Sequence, residues 1–323
     1  MNVAVTGAAG YIGSRVVHDL RAAHPDWSVT ALDNFYLGEV PAIGDVTVED
    51  VDVRDRDALE AALAGADVVL HLAAVSGVDD CESNPDLAYE SNVVGTTNVA
   101  WYCRKTGAGL VFPYSMAVLG DPERFPITAS LSRDPMNWYG RTKLLGEQAV
   151  ETFAADAFPA HLLLKSNLYG EHRIGDRVVS KGTVINFFVN RVFTDQPLTV
   201  YAPGTQSRNY IHVKDIAMAY VRSTERLASQ ITDGDTGATH YEIASDEDPS
   251  VHDVAKLVQR VAAEEAGIET AVTVVDNPRG NETLVTDFQV DTSRAREELG
   301  WTPTHSVEDS VRELIRRKAT DQA

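Results

Sequence analysis

Cysteine is almost absent from this chain of 323 residues, which carries only Cys81 and Cys103. Two thiols make no disulfide framework, and no metal-ligand spacing surrounds them. A reducing, cytoplasmic setting is the expectation. Long hydrophobic runs are missing too: no apolar stretch approaches the roughly 20 residues of a membrane-spanning helix. No basic stretch leads into an apolar one ahead of the first strand-like segment, so no secretory signal is expected. Positive charge is scarce, with 28 Lys and Arg against 48 Asp and Glu, a net charge of −20. That field repels a polyanion, so nucleic acid is not an expected partner. Only seven of the cations are lysines. A carboxylate-rich, lysine-poor surface suits a salt-adapted, halophilic protein and leaves the reaction type open.

What is present is ordinary globular material: 44% hydrophobic residues, enough for a full core. Strand and helix signals alternate through the first two hundred residues. Strands are expected at 3–6, 29–32, 67–72, 110–112 and 161–165, and helices at 12–23, 84–105 and 139–153. Alternation of this kind means parallel strands joined by crossover helices, hence an α/β, doubly wound Rossmann sheet. Beyond Gly170 the pattern is broken by Gly175, Gly182, Pro197, Pro203 and Gly204. Helices return at 213–228, 251–263 and 307–317, with Ser250/Asp253 and Ser306/Asp309 as capping boxes. The expected layout is a cofactor domain of 1–168 and 211–239 with a smaller, discontinuous lobe of 169–210 and 240–323.

Thr6-Gly7-Ala8-Ala9-Gly10-Tyr11-Ile12-Gly13 joins the first strand to the first helix. Gly7 permits the tight turn, Gly10 a close approach of pyrophosphate to the backbone, and Gly13 close packing of helix on sheet. The helix N-terminus offers free N–H groups to the phosphates. Asp33 ends the second strand twenty residues after Gly13, where a carboxylate would accept hydrogen bonds from the adenosine ribose. It would repel a 2′-phosphate, and no arginine follows in Asn34-Phe35-Tyr36-Leu37. NAD is therefore expected rather than NADP. Asp52-Val53 could reach the adenine edge, and Leu72-Ala73-Ala74, after His71, would let backbone approach the cofactor. His71 itself reads as a core histidine.

Tyr139 and Lys143 stand four apart at the start of an expected helix, so they share one face. An ammonium group there would lower the phenol pKa and let Tyr139 act as a base. The spacing is not unique: Tyr210 and Lys214 repeat it. Tyr210 begins in extended chain, and that pair is read as structural. Ser115, just after the strand at 110–112, could hydrogen-bond both a substrate oxygen and Tyr139.

The ordered set resembles the extended short-chain dehydrogenase/reductases, in particular their nucleotide-sugar epimerase/dehydratase branch, over nearly the whole chain. Besides the residues above, the resemblance takes in Asn92 in Asn-Val-Val-Gly-Thr, Asn167 in Lys-Ser-Asn-Leu-Tyr-Gly, Val184-Ile185, Tyr201, Arg208, Arg279 near Glu282, and the closing Leu-Gly-Trp-Thr-Pro. It implies Ser115, Tyr139 and Lys143 as the catalytic trio and Asn92 near the cofactor. Asn167, Val184, Tyr201, Arg208 and Arg279 would contact a nucleotide sugar. It implies a homodimer through the helices at 84–105 and 139–153. The implied activity is UDP-hexose 4-epimerisation through a 4-keto sugar. A dehydrogenase or keto-sugar reductase with net redox turnover and a non-catalytic NAD-binding protein are the alternatives. The sequence departs from the family at Tyr114, where many members carry serine. Met116-Ala117 replaces the acidic pair of the 4,6-dehydratases, which argues against dehydration.

Overall fold

The computed structural model describes residues 1–278 and 285–322. Eight strands form the central sheet: β1 (Asn2–Thr6), β2 (Ser28–Asp33), β3 (Ala42–Ile43), β4 (Val46–Asp50), β5 (Val68–His71), β6 (Gly109–Ser115), β7 (Pro159–Lys165) and β8 (Gly237–Ile243). Their spatial order is β8-β7-β6-β5-β1-β2-β4-β3. All neighbours run parallel except the short β3, which pairs antiparallel with β4. This is the expected doubly wound sheet, and its strand order reverses at β1. Ligands of such sheets lie at that switch point, outside the carboxyl ends of the strands.

The central strands are buried on both faces, as their unbroken apolar runs require. One face packs Val16, Val17 and Leu20 of the helix Gly13–Ala23 and Ile216, Tyr220 and Leu227 of the helix Val213–Asp233. The other carries Val99 and Cys103 of the helix Thr96–Thr106 and Val150 of the helix Trp138–Ala154. A separate apolar cluster joins Ile185 and Phe188 to Val254, Val258 and Val311. It belongs to the helices Val184–Val192, Val251–Ala266 and Val307–Gln322. Ser250 and Asp253 form a full capping box, and Ser306 Oγ accepts from Asp309 N at 3.1 Å.

Two expectations need correction. The helix expected over 84–105 is not continuous: Pro85–Tyr89 is α-helical, Glu90–Gly95 is a π-helical turn, and Thr96–Thr106 is α-helical again. The strand expected at 110–112 extends through Pro113 to Ser115. The expected domain division at 239/240 falls within β8. No described helix is long and apolar enough to cross a membrane.

Candidate active site

The turn after β1 is built from backbone packed on backbone. Gly7 has φ +72, and a Cβ there would lie 2.6 Å from Ala73 N. A Cβ on Gly13 would overlap Gly7 O. Gly10 differs: an added Cβ would meet only Gly7 O, at 3.3 Å, because this residue borders an open cleft. Asp33 closes the other side. Its carboxylate accepts from Ala9 N at 2.9 Å and from Phe35 N at 2.8 Å, and burial raises its pKa. Each oxygen keeps a lone pair for a ribose hydroxyl. Backbone N–H groups, a glycine open to the cleft and an acid at the end of β2 fit a dinucleotide such as NAD.

The remaining expected cofactor residues divide. Tyr11, Ile12, Asn34, Val53, Leu72, Ala73 and Ala74 line the cleft. Asp52 does not; Arg54 and Asn34 bind its carboxylate at 2.7 and 3.0 Å, and Arg54 holds its pKa at about 2. Asn92 is buried behind the wall. It exchanges two 2.9 Å hydrogen bonds with the Val75 backbone and donates to Thr142 Oγ1 at 3.1 Å. The π-helical turn aims it there, so Asn92 ties the loop after β5 to the helix that bears Tyr139. His71 is the expected core histidine, bonded to Thr6 at 2.8 Å and Thr96 at 3.0 Å, with burial pushing its pKa down to about 3.

The chemistry-bearing edge lies at the ends of β6 and β7. Asn137 caps the helix Trp138–Ala154, its Oδ1 accepting from Gly140 N at 2.9 Å. Tyr139 and Lys143 then fall on one buried face, and both line the cleft. A Cβ on Gly140 would stand 2.5 Å from Ala117 O, so only glycine lets this helix close onto the Met116–Val118 turn. Ser115 Oγ accepts from Ala117 N at 3.2 Å, and the Ser115 hydroxyl is near enough to Tyr139 to draw its pKa down. Lys143 Nζ donates to Pro113 O at 3.4 Å, and burial, with Lys165 nearby, lowers its pKa to about 7.

Burial dominates the electrostatics of this pair in the folded chain. Burial raises the Tyr139 pKa above its ordinary value of 10.0, and the opposing influences come from Lys181 and Ser115, not Lys143. The reason is desolvation: phenolate and ammonium are both held out of water.

At the far side of the cleft, Asn167 begins the strand Asn167–Tyr169, and Arg208 donates to Ser207 O at 2.8 Å. Both line the cleft. Val184 and Tyr201 are exposed and do not line it. Arg279 and its neighbour Glu282 lie outside the described residues. The pattern Tyr210-x-x-x-Lys214 is split, with Tyr210 in the strand Tyr210–His212 and Lys214 in the helix that follows. Neither lines the cleft. Tyr114 points away from Ser115, as alternate residues of a strand must. Its hydroxyl meets His240 Nδ1 at 2.8 Å. His240 forms with Glu147 and Glu151 a group of possible metal donors, but Arg133 and Tyr114 already engage it.

Sequence reasoning missed Lys181, which lines the cleft and donates to Ser76 Oγ at 2.6 Å. The available signal was scarcity, since three of the chain's seven lysines (Lys143, Lys165, Lys181) line this one cleft. The cleft holds about 1160 Å³. That exceeds the roughly 300–1,000 Å³ usual for one small ligand.

Residues 3–244 match the model of the NAD dependent epimerase/dehydratase family. The chain belongs to that family. NAD is the cofactor this membership assigns, and the glycine turn with Asp33 fits it. The chain is 29% identical to UDP-glucose 4-epimerase of Bacillus subtilis over 96% of its length and 94% of that protein. The UDP-glucose 4-epimerase of Thermus thermophilus, solved with NAD, superposes with TM-score 0.80 at 25% identity, covering 98% of each chain. A Stenotrophomonas maltophila UDP-glucose 4-epimerase, solved with NAD and a formylated UDP-arabinopyranose, gives 0.85 at 26% over both full chains.

Proposed function

We propose that this protein is an NAD-dependent nucleotide-sugar epimerase acting on a UDP-hexose at C4. The observation that carries the reading is the sharing of one cleft. The glycine turn and Asp33 lie at one end, and Ser115, Tyr139 and Lys143 at the other. Bound NAD supplies reversible oxidation of the sugar carbon and is regenerated in each turnover. In this reading Tyr139 takes the proton of the 4-hydroxyl and returns it, and Ser115 holds the same oxygen. Lys143 keeps positive charge against the developing phenolate. Arg208 and Asn167 bind the diphosphate, for which a guanidinium fork is well shaped. Arg279 joins them. Val184 and Tyr201 are kept as nucleotide contacts on the resemblance alone, since neither lines the cleft.

We assign residues 1–168 and 211–239, extended to the end of β8 at Ile243, to the cofactor domain and the rest to the substrate lobe. We also propose a homodimer: Tyr89, Val94, Trp101 and Leu145 are exposed apolar residues on the two helical segments that the resemblance puts at the interface. A salt-rich cytoplasm suits the charge of −20 and two unpaired thiols. The test is purified protein in high salt with NAD, UDP-galactose and no NADH. Conversion to UDP-glucose without net NADH supports the epimerase. Stoichiometric NADH would replace it with a net oxidoreductase.

A further inference from the structure

Lys165 ends β7 in register with Ser115, the end of β6. Residues in register on parallel strands put their side chains on the same face. Lys165 therefore enters the cleft beside Ser115, and it is one of the residues that line it. Among the described residues no side-chain hydrogen bond or ion pair holds its ammonium group, and burial alone lowers its pKa, to about 8. Lys143 and Lys181 both feel its repulsion. Lys181 also feels the Asp80 carboxylate, whereas among the described residues no carboxylate is a cause of the shift at Lys143 or Lys165. Glu82, on the same cleft, is engaged with Trp138 N.

A cation without a partner in a sheltered site is costly unless a ligand supplies the countercharge. In a chain of net charge −20, three of the seven lysines line this one cleft. The diphosphate falls to Arg208 in the reading above. The charge beside Ser115 faces the sugar, and a neutral hexose would leave it uncompensated. We propose that the preferred substrate is a nucleoside-diphosphate hexuronic acid, whose sugar carboxylate Lys165 binds with help from Lys181. This inference rests on the nucleotide-sugar reading and names the substrate class of that site.

The test measures binding of UDP-glucuronate and UDP-glucose to the NAD-loaded full-length protein, alongside epimerisation of each. A charge-assisted bond of this kind predicts UDP-glucuronate tighter by about tenfold or more. Lys165→Met should bring the two affinities within about threefold, and Lys165→Arg should keep most of the preference. Equal affinities in the wild type, or a preference for UDP-glucose, would overturn the proposal, and this arm needs no variant to fold. A preference unchanged in Lys165→Met would overturn the role of Lys165; should that variant not fold, Lys181→Met must narrow the ratio instead. Tight UDP-glucuronate binding without epimerisation would sustain this inference and sink the epimerase. Epimerisation of UDP-glucose with no preference would do the reverse, and failure of both sugars to bind would sink both.

Discussion

The chain holds the same five-residue spacing twice, and the two copies behave differently. Tyr139 and Lys143 both lie inside one helix, capped by Asn137, and both reach the cleft. Tyr210 and Lys214 straddle a strand end and a helix start, and His212 between them caps the helix by accepting from Lys214 N at 3.2 Å. Tyr210 packs into the apolar cluster of the lobe. Spacing of four aligns side chains only where both residues are helical. The residue after the tyrosine sharpens the contrast. Gly140 lets its helix close onto the Ala117 backbone, while Ile211 is itself fully buried core.

The largest expected difference between the copies is catalytic. Lys143→Met should lower kcat by about a hundredfold or more, on the scale of lost acid–base assistance. Lys214→Met should leave kcat unchanged within error in the same assay. Next comes packing. Gly140→Ala should destabilise the fold by about 1–3 kcal/mol, as overpacking does. It should also lower kcat by moving Tyr139 away from Ser115, which denaturant titration and steady-state kinetics on one preparation would separate. Asn137→Ala should cost about 1 kcal/mol as a lost helix cap. A melting temperature equal to wild type would show that the cap does not set this helix start.

A further effect is on pH. Lys143 and Lys165 titrate at about 7 and 8 in the folded chain, against 10.5 ordinarily. Between those limits the unfolded chain binds more protons, so stability rises with pH. Above pH 10 the buried tyrosines, whose folded pKa values are raised, work the other way. Between pH 7 and 9 the slope of unfolding free energy should flatten in Lys143→Met and Lys165→Met, as urea titration at several pH values would show.

Much of the frame was legible from residues. The alternation of strand and helix, the glycine turn and Asp33 all follow from local rules, and the sheet and cradle take the expected form. The central strands announce themselves by apolar runs. β8 does not: its Thr239, His240 and Glu242 are polar, because it is the edge strand. The π-helical turn was hidden because one extra residue per turn leaves no mark on composition; it shows only when Asn92 turns onto Val75. The electrostatics of Tyr139 were hidden for a related reason. Helical spacing gave the neighbour Lys143, while the cation that acts on the phenol, Lys181, comes from a segment 42 residues away, a proximity only the tertiary fold makes. Val184 and Tyr201 came from resemblance alone, and no local rule tied them to the cleft.

In the proposed reaction Tyr139, not its twin, is the base. The direct measurement is the turnover of NAD-loaded Tyr139→Phe and Tyr210→Phe, with the UDP-sugar that the wild-type protein converts fastest. Tyr139→Phe should bind NAD normally but lose about a hundredfold or more in kcat. Tyr210→Phe should keep wild-type turnover. A Tyr139→Phe protein with wild-type kcat, or a folded Tyr210→Phe protein that loses as much, would contradict that assignment.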